Sequence, residues 1–402
     1  LNFELLPMFA NKYLQKQNKP SLVAQPPVAD LGIIVVIPCF REPYILQTLE
    51  SVANCDLPNK KVEVIVLINH SEIASDTVKK YNQNTKAEVE NWISNYNSGE
   101  ITFFGIGPVE LPKKWAGVGL ARKSGMDEAL RRFNLLGKPN GIIVSLDADT
   151  LVAKNYFIEI EKHFTRFPKN VGATISFQHQ TDGLAEKQLK GILLYEKYLL
   201  YYKNALRFIG YPNPLFTVGS AFAVTAGGYI KRGGMTRRQA GEDFYFLQTL
   251  AQLGTVGEIT TTAVYPSARE SDRIPFGTGP AIAKWMNDET DLTQTYNFQA
   301  FVDLKLFFDQ IENLFRIERE GFFELIEKLP DPVGQFIKSD NFWIEIEDLN
   351  QNCSSQESFK TRFFHKFKAF KILKFMNFGH EFFYEKADLD QQFLRLQEHE
   401  KY

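Results

Sequence analysis

The sequence contains few cysteines and no long apolar run. Three cysteines occur among 402 residues, at positions 39, 55 and 353. Their odd number and wide spacing argue against a disulfide framework or a cysteine-based zinc site, and are typical of a reducing compartment. No run of about 18 apolar residues appears, so we expect no membrane-spanning helix. The first residues lack the basic start and apolar core of a signal peptide, which favours a cytoplasmic protein.

An excess of charge of either sign is also absent. The formal net charge is −2, which gives no general basis for binding nucleic acid. Hydrophobic residues make up 44% and charged residues 23%, as in globular proteins. The chain is too long for one average domain. We predict an arm and linker over residues 1–30, an α/β domain over 31–279, and a helical extension over 280–402.

Strand patterns alternate with helical patterns in the first half of the chain. Apolar, β-branched runs occupy 32–38, 62–69 and 101–107, and a fourth begins at residue 141. Amphipathic segments of helical spacing separate them. This alternation predicts an α/β fold with a mainly parallel sheet, since each parallel connection carries a crossover helix. The runs are apolar on both faces, as expected for a sheet covered by helices on both sides.

Polar residues follow three of these strand patterns, at 38–42, 69–72 and 147–149. Because ligands bind at the carboxyl ends of parallel strands, we expect these residues to lie at one functional edge. Asp147 and Asp149 carry the oxygen ligands that Mg²⁺ and Mn²⁺ prefer. A helix cap followed by a turn aspartate is the alternative, because the pattern is short.

Six segments, in their order and spacing, resemble family 2 glycosyltransferases with the GT-A fold. The segments are VVIPCFREPYILQTLESV, VEVIVLINHSE, GVGLARKSGMDEAL, VSLDADT, TVGSAFAVTAGGY and GEDFYFLQTLAQLG. The resemblance implies a Rossmann-like, mixed, mainly parallel sheet flanked by helices, here with a helical C-terminal extension. It also implies a nucleotide-diphosphate sugar donor and metal-assisted transfer with inversion at the anomeric carbon.

The resemblance assigns roles residue by residue. It places the nucleotide against Pro38, Phe40, Arg41, Glu42, Asn69, Arg122, Lys123 and Asp147. It implies that Asp147 and Asp149 bind a divalent cation, Mn²⁺ or Mg²⁺. Asp243 corresponds to the catalytic base and Glu242 to its neighbour, while Gly219 and Ser220 correspond to the loop that borders the acceptor.

The sequence departs from the family pattern at three places. Arg41 stands where asparagine is common, and NHSE replaces an acidic turn. The resemblance favours a UDP-sugar, the commonest donor in the family, while the change at NHSE leaves a GDP-sugar open. No histidine lies between positions 179 and 365, where relatives supply a third metal ligand. Arginine suits bidentate contact with phosphate. We therefore expect Arg269 and Arg273 to contact the diphosphate.

Two other classes of protein are alternatives. A degenerate transferase-like domain would bind a nucleotide or a partner without catalysis, and Asp243 would then act only as a helix cap. A phosphatase with a D-x-D strand end is a weaker alternative, because three strand patterns precede LDADTLV and Thr150 follows the second aspartate at once. The acceptor is not readable from the sequence: a glycan, a lipid-linked molecule and a small molecule all remain open.

The stretch 358–380 is basic and rich in phenylalanine, with no acidic residue. One interpretation is a peripheral membrane contact at the inner membrane face. We favour a packed helix, because its phenylalanines surround the helix rather than forming one apolar face.

Overall fold

The computed structural model describes residues 8–96, 99–231, 233–239, 241–270 and 277–399. It forms two compact units. Unit 1 comprises Leu1–Gly183 and Thr217–Pro280, and unit 2 comprises Leu184–Phe216 and Ala281–Tyr402. The long helical pattern after residue 184 therefore groups with the C-terminal segments.

Unit 1 is built on one mixed sheet of eight strands. The strands are β1 (Leu31–Cys39), β2 (Lys61–Ser71), β3 (Ile101–Leu111), β4 (Ile142–Ser145), β5 (Leu151–Val152), β6 (Gly172–Phe177), β7 (Phe222–Thr225) and β8 (Val256–Tyr265). Their order is β3-β2-β1-β4-β7-β6-β8-β5. Strands β3, β2, β1 and β4 are parallel, and β7 runs antiparallel to both of its neighbours. The predicted mixed, mainly parallel sheet is confirmed.

Helices account for most of the remaining regular structure. They are α1 (Asn11–Gln17), α2 (Ile45–Ala53), α3 (Asp76–Asn95), α4 (Val118–Leu135), α5 (Tyr156–Arg166), α6 (Glu186–Phe208), α7 (Ala226–Ile230), α8 (Glu242–Ala251), α9 (Thr278–Met286), α10 (Phe298–Phe308), α11 (Arg319–Glu327), α12 (Asp331–Ser339), α13 (Trp343–Asn352), α14 (Gln356–Lys366), α15 (Ala369–Phe382) and α16 (Leu389–His399). A 3-10 helix spans Ile311–Leu314, and a two-stranded sheet joins β9 (Gln294–Thr295) to β10 (Ala387–Asp388).

Helix α4 is buried along most of its length, charged residues included. It packs on β1 so closely that a Cβ on Gly125 would lie 2.4 Å from Val36 Cγ1. Further along, Arg132 donates hydrogen bonds to both carboxylate oxygens of Glu63 on β2, one of them at 2.6 Å. Buried charges persist only when paired, so this ion pair fixes the helix against the sheet.

Unit 2 is helical, as predicted for residues 280–402. Its interior is built from aromatic rings whose centroids lie 5.2–6.2 Å apart, many of them edge to face. The rings at its centre are Phe307, Phe308, Phe342, Phe363 and Phe367. Such pairs favour offset and T-shaped geometry because the ring edge is positive and the face is negative. The frequent phenylalanines of this region therefore form a core.

The basic stretch 358–380 finds acidic partners inside unit 2. Lys366 lies 2.6 Å from Glu345, and Lys371 pairs with Asp340. Phe359, Phe363 and Phe375 of the same stretch are buried, which agrees with the packed helix that we favour. A membrane contact through this stretch stays a prediction. Among the described residues, no helix has both the length and the apolar character needed to cross a membrane.

We expect Glu63→Gln to lower the free energy of unfolding by about 3 kcal/mol, because it leaves the buried Arg132 guanidinium without its counter-ion. Urea unfolding followed by circular dichroism measures the change. Glu100→Gln is the matched control, since its pair with Lys61 is exposed on both sides and should contribute less than about 1 kcal/mol. Equal effects of the two substitutions would contradict the role assigned to the buried pair.

Candidate active site

The carboxyl ends of β1, β2 and β4 meet at one edge of the sheet. The register pairs Pro38 with Leu67, and Val36 with Ser145, so the segments that follow the three strands lie side by side. Asn69 falls at the end of β2, and Asp147 follows β4 by two residues. The sheet thus brings together the three polar segments predicted from the sequence.

A buried guanidinium links this edge to two later segments. The Arg122 side chain, only 3% exposed, donates to Asp147 Oδ1 at 2.9 Å and to Glu242 Oε1 at 3.1 Å. It also donates to Ser145 Oγ at 2.7 Å and to the Gly219 carbonyl oxygen at 2.9 Å. One cation therefore holds the D-x-D segment, the loop before β7 and the start of α8 in fixed positions.

Asp243 lies at the start of α8, beside Glu242. Its Oδ1 accepts a hydrogen bond from the Phe244 backbone amide at 2.7 Å. Burial and the neighbouring Glu242 carboxylate raise the pKa of Asp243 to about 7, while Arg122 acts to lower it. A carboxylate with a pKa near 7 can accept a proton and still be ionised at neutral pH, which is what a general base needs.

Gly219 makes room for this arrangement. A Cβ at this position would lie 2.8 Å from Arg122 Nη2 and 3.3 Å from Asp243 Oδ2. The next residue, Ser220, is fully buried, and its Oγ has no hydrogen-bond partner within the described ranges. The loop predicted to border the acceptor thus passes directly beside the predicted base.

A second arginine joins the other aspartate to the turn after β1. Arg269 donates to both carboxylate oxygens of Glu42, with the Nη1–Oε1 distance at 2.9 Å, and its Nη2 lies 3.1 Å from Asp149 Oδ2. Its guanidinium also lies 5.6 Å from the ring centroid of Tyr44. The structure therefore brings Arg269 to the D-x-D segment, whereas Arg273 lies outside the described residues.

The turn between β1 and α2 depends on a residue that the sequence analysis missed. Arg41 has a φ of +49°, in the left-handed region that asparagine tolerates better than most residues. The Arg41 amide donates to Asn82 Oδ1 at 3.2 Å, and Asn82 Nδ2 donates to the Asn69 carbonyl at 2.7 Å. Asn69 in turn donates to the Cys39 carbonyl at 3.0 Å. Asn82 thus holds two predicted nucleotide segments together from α3.

The structure does not bring Lys123 into this group of contacts. Lys123 Nζ lies 2.9 Å from Asp127 Oδ2 and 2.5 Å from the Tyr13 hydroxyl, on the face of α4 that meets α1. Tyr229 completes the cluster by donating to Asp127 at 2.8 Å. These contacts attach the N-terminal arm to α4, and a nucleotide contact by Lys123 stays a prediction.

The donor set at Asp147 and Asp149 fits a hard divalent cation that takes other ligands from a diphosphate. Their side chains are 35% and 20% exposed, and each carboxylate lies beside an arginine. Within the described residues, no group of three or more His, Cys, Asp or Glu side chains has the geometry of a metal site.

Residues 34–225 match the family model "Glycosyl transferase family 2". This stretch holds β1, β2, β4 and the D-x-D segment, and the match confirms the resemblance that the sequence analysis described. No curated protein sequence matches the chain.

Among solved structures, the chain is similar to S. aureus TarS 1–349 in complex with UDP-GlcNAc. The identity is 13%, the match covers 84% of this chain and 92% of that one, and the TM-score is 0.43. It is also similar to the mannosyltransferase PcManGT from Pyrobaculum calidifontis in complex with GDP-Man and Mn²⁺, with 14% identity, coverage of 87% and 96%, and a TM-score of 0.39. The resemblance to the family rests on the sequence match over residues 34–225.

We expect Asp243→Asn to raise the free energy of unfolding at pH 8 by about 2 kcal/mol, because wild type must hold a buried carboxylate ionised there. Because its pKa is raised to about 7, the Asp243 carboxyl of the folded protein is protonated and uncharged well below pH 7. The difference should therefore shrink as the pH falls and vanish near pH 4. Thermal and urea unfolding across this range measure it.

Asp30→Asn is the control for removing one exposed carboxylate from unit 1. A stability gain from Asp243→Asn that is the same at pH 5 and pH 8 would contradict the assignment of a perturbed carboxyl to this position.

Proposed function

We propose that the protein transfers a sugar, a hexosyl group or a close relative, from a nucleotide-diphosphate donor to an acceptor hydroxyl with inversion. The observation that carries this proposal is the joining of Asp147, Gly219 and Glu242 by one buried arginine, with Asp243 next in the chain. A donor-side carboxylate, an acceptor-side loop and a candidate base are thereby held together, as a single displacement requires.

We assign the donor to the edge formed by the ends of β1, β2 and β4. The nucleoside lies against Pro38, Phe40 and Asn69 in this proposal, and Glu42 with Arg269 lies toward the diphosphate. A UDP-sugar is favoured over a GDP-sugar by the resemblance to the family. Asp147 and Asp149 would hold Mn²⁺ or Mg²⁺, which when bound would neutralise negative charge on the diphosphate.

In the proposed step, Asp243 accepts the proton of the acceptor hydroxyl. The oxygen forms a bond to the sugar C1 as the bond from C1 to the diphosphate oxygen breaks, and the nucleoside diphosphate leaves with the electron pair. Arg269 donates hydrogen bonds to the departing diphosphate, since its planar fork matches phosphate oxygens. Arg122 holds Asp147 and Glu242 and so acts as a positioning residue.

Replacing Asp243 by Asn should reduce sugar transfer by about a thousand-fold, because the proton would have no acceptor. In wild type, kcat should rise with pH and level off above about pH 7, since the pKa of Asp243 is raised to about 7 and only its ionised form accepts a proton. Nucleotide release measured with a range of sugar acceptors gives both quantities. Near-normal turnover of Asp243→Asn would contradict the base assignment.

The donor class is tested by thermal shift with UDP, GDP, their sugar conjugates and the free nucleosides, with and without Mn²⁺. Wild type should be stabilised most by one diphosphate, because a ligand that binds only the folded state stabilises it according to its affinity. Arg269→Gln should weaken binding of that diphosphate about ten-fold and leave binding of the nucleoside unchanged.

Arg166→Gln is the matched control for Arg269→Gln, because it removes an exposed arginine from α5. The absence of a thermal shift with every nucleotide in the panel would contradict the transferase proposal. Tight nucleotide binding without sugar transfer to any acceptor would instead favour the degenerate binding domain.

A further inference from the structure

Positive charge collects on two loops of unit 1 near the start of α8. The first loop, between β3 and α4, exposes Lys113, Lys114 and Trp115, and the second, before α8, exposes Arg237 and Arg238. We call these five residues the basic rim. The chain as a whole is slightly acidic, with a net charge of −2, so this is a local concentration.

The two loops of the basic rim lie directly against each other. Gln239 Nε2 lies 3.5 Å from the Lys114 carbonyl oxygen. A Cβ on Gly117 would lie 3.0 Å from the Gln239 carbonyl oxygen, and one on Gly119 would overlap the Arg238 carbonyl oxygen at 2.0 Å. The glycines thus permit a close approach of the two loop backbones.

This surface adjoins the start of α8, where Asp243 lies. The Arg238 guanidinium is 3.7 Å from the ring centroid of Tyr245, two residues after Asp243. A Cβ on Gly119, in the first turn of α4, would lie 3.1 Å from Glu242 Cβ. The basic rim therefore lies beside the first turn of α8, which carries Glu242 and Asp243.

The cations of the basic rim have no carboxylate partner among the described residues. In the part of the chain that the structure describes, no carboxylate lies within 4 Å of the charged groups of Lys113, Lys114, Arg237 or Arg238. Glu72 is at hand, but its Oε1 accepts the backbone amide of Lys113 at 2.8 Å. Elsewhere on unit 1, exposed lysines such as Lys61 and Lys79 do have carboxylate partners.

Trp115 adds an aromatic surface to the same rim. Its side chain is 37% exposed, and Lys114 Nζ lies 4.9 Å from the ring centroid. Exposed tryptophan beside arginine and lysine is the composition of a recognition surface, where the ring offers apolar contact and the cations offer hydrogen bonds. A sugar that carries a negative group presents both kinds of partner.

We propose that the acceptor is an anionic carbohydrate, whose phosphate or carboxylate group binds the basic rim while its hydroxyl faces Asp243. This inference rests on the proposed function, since it names the class of acceptor for that reaction. Arginine and lysine bind both groups through charge-assisted hydrogen bonds, and the arginine fork does so bidentately. The anionic group is unchanged in the reaction, and only the hydroxyl loses its proton.

The test compares three acceptor probes of similar size: methyl glucoside, methyl glucuronide and glucose 6-phosphate. Their dissociation constants are measured by NMR titration without a donor, and their KM values with the donor found by thermal shift. At low salt, wild type should bind at least one anionic probe about ten-fold more tightly than the neutral one. The preference should fall with added salt, because the surface charges are screened.

A variant without the four cations should lose the anionic preference and keep the stabilisation by the donor. This variant carries K113Q, K114Q, R237Q and R238Q. The matched control removes four exposed cations from the region of α5, with K154Q, K162Q, R166Q and K169Q, and should keep the preference.

Each outcome decides the inference. A preference for the phosphate or for the carboxylate probe that depends on the basic rim supports it and identifies the group. Equal binding of neutral and anionic probes by wild type, or a preference that survives in the rim variant, overturns it. Anionic binding at the rim with no donor binding would leave this surface in place and overturn the transferase proposal alone.

Discussion

The buried guanidinium of Arg122 is the interaction on which the candidate site depends. A charge that is 3% exposed needs partners, and Arg122 finds them on three separate stretches of chain: Asp147, Gly219 and Glu242. Asp147, Gly219 and Glu242 all lie outside the strands, so strand pairing does not hold these three residues together. The positions of Asp147 and of the candidate base are therefore set by one side chain on α4, before any substrate is present.

The two aspartates of the D-x-D segment belong to different networks. Asp147 faces the Arg122 network, and Asp149 faces Arg269 and Glu42 at the turn after β1. The short segment thus connects the proposed reaction centre to the proposed diphosphate site. A displacement of Asp147 in the Arg122 network is therefore passed to Asp149 and Arg269 through a segment of only three residues, 147–149.

The sequence predicted the sheet well, because buried parallel strands and amphipathic helices have distinct periodicities. It predicted less of the site. Asn82 was missed because a buried asparagine in a polar helix pattern looks like a solvent-facing one. Lys123 was grouped with Arg122, yet adjacent residues of a helix point about 100° apart, so the two reach different surroundings. The pairing of Glu42 with Arg269 spans 227 positions and leaves no local signal.

Because residue 219 is a glycine, this position limits how the preference for an acceptor can change during evolution. Any larger residue there would push against Arg122, which four hydrogen bonds hold in place, and would narrow the space beside Asp243. Substitution of Gly219 is therefore not a way to change acceptor preference without disturbing Arg122. In any descendant of this chain that keeps the same arginine network, a new acceptor would have to be accommodated by remodelling the surrounding loops, while the wall nearest the base stayed the same.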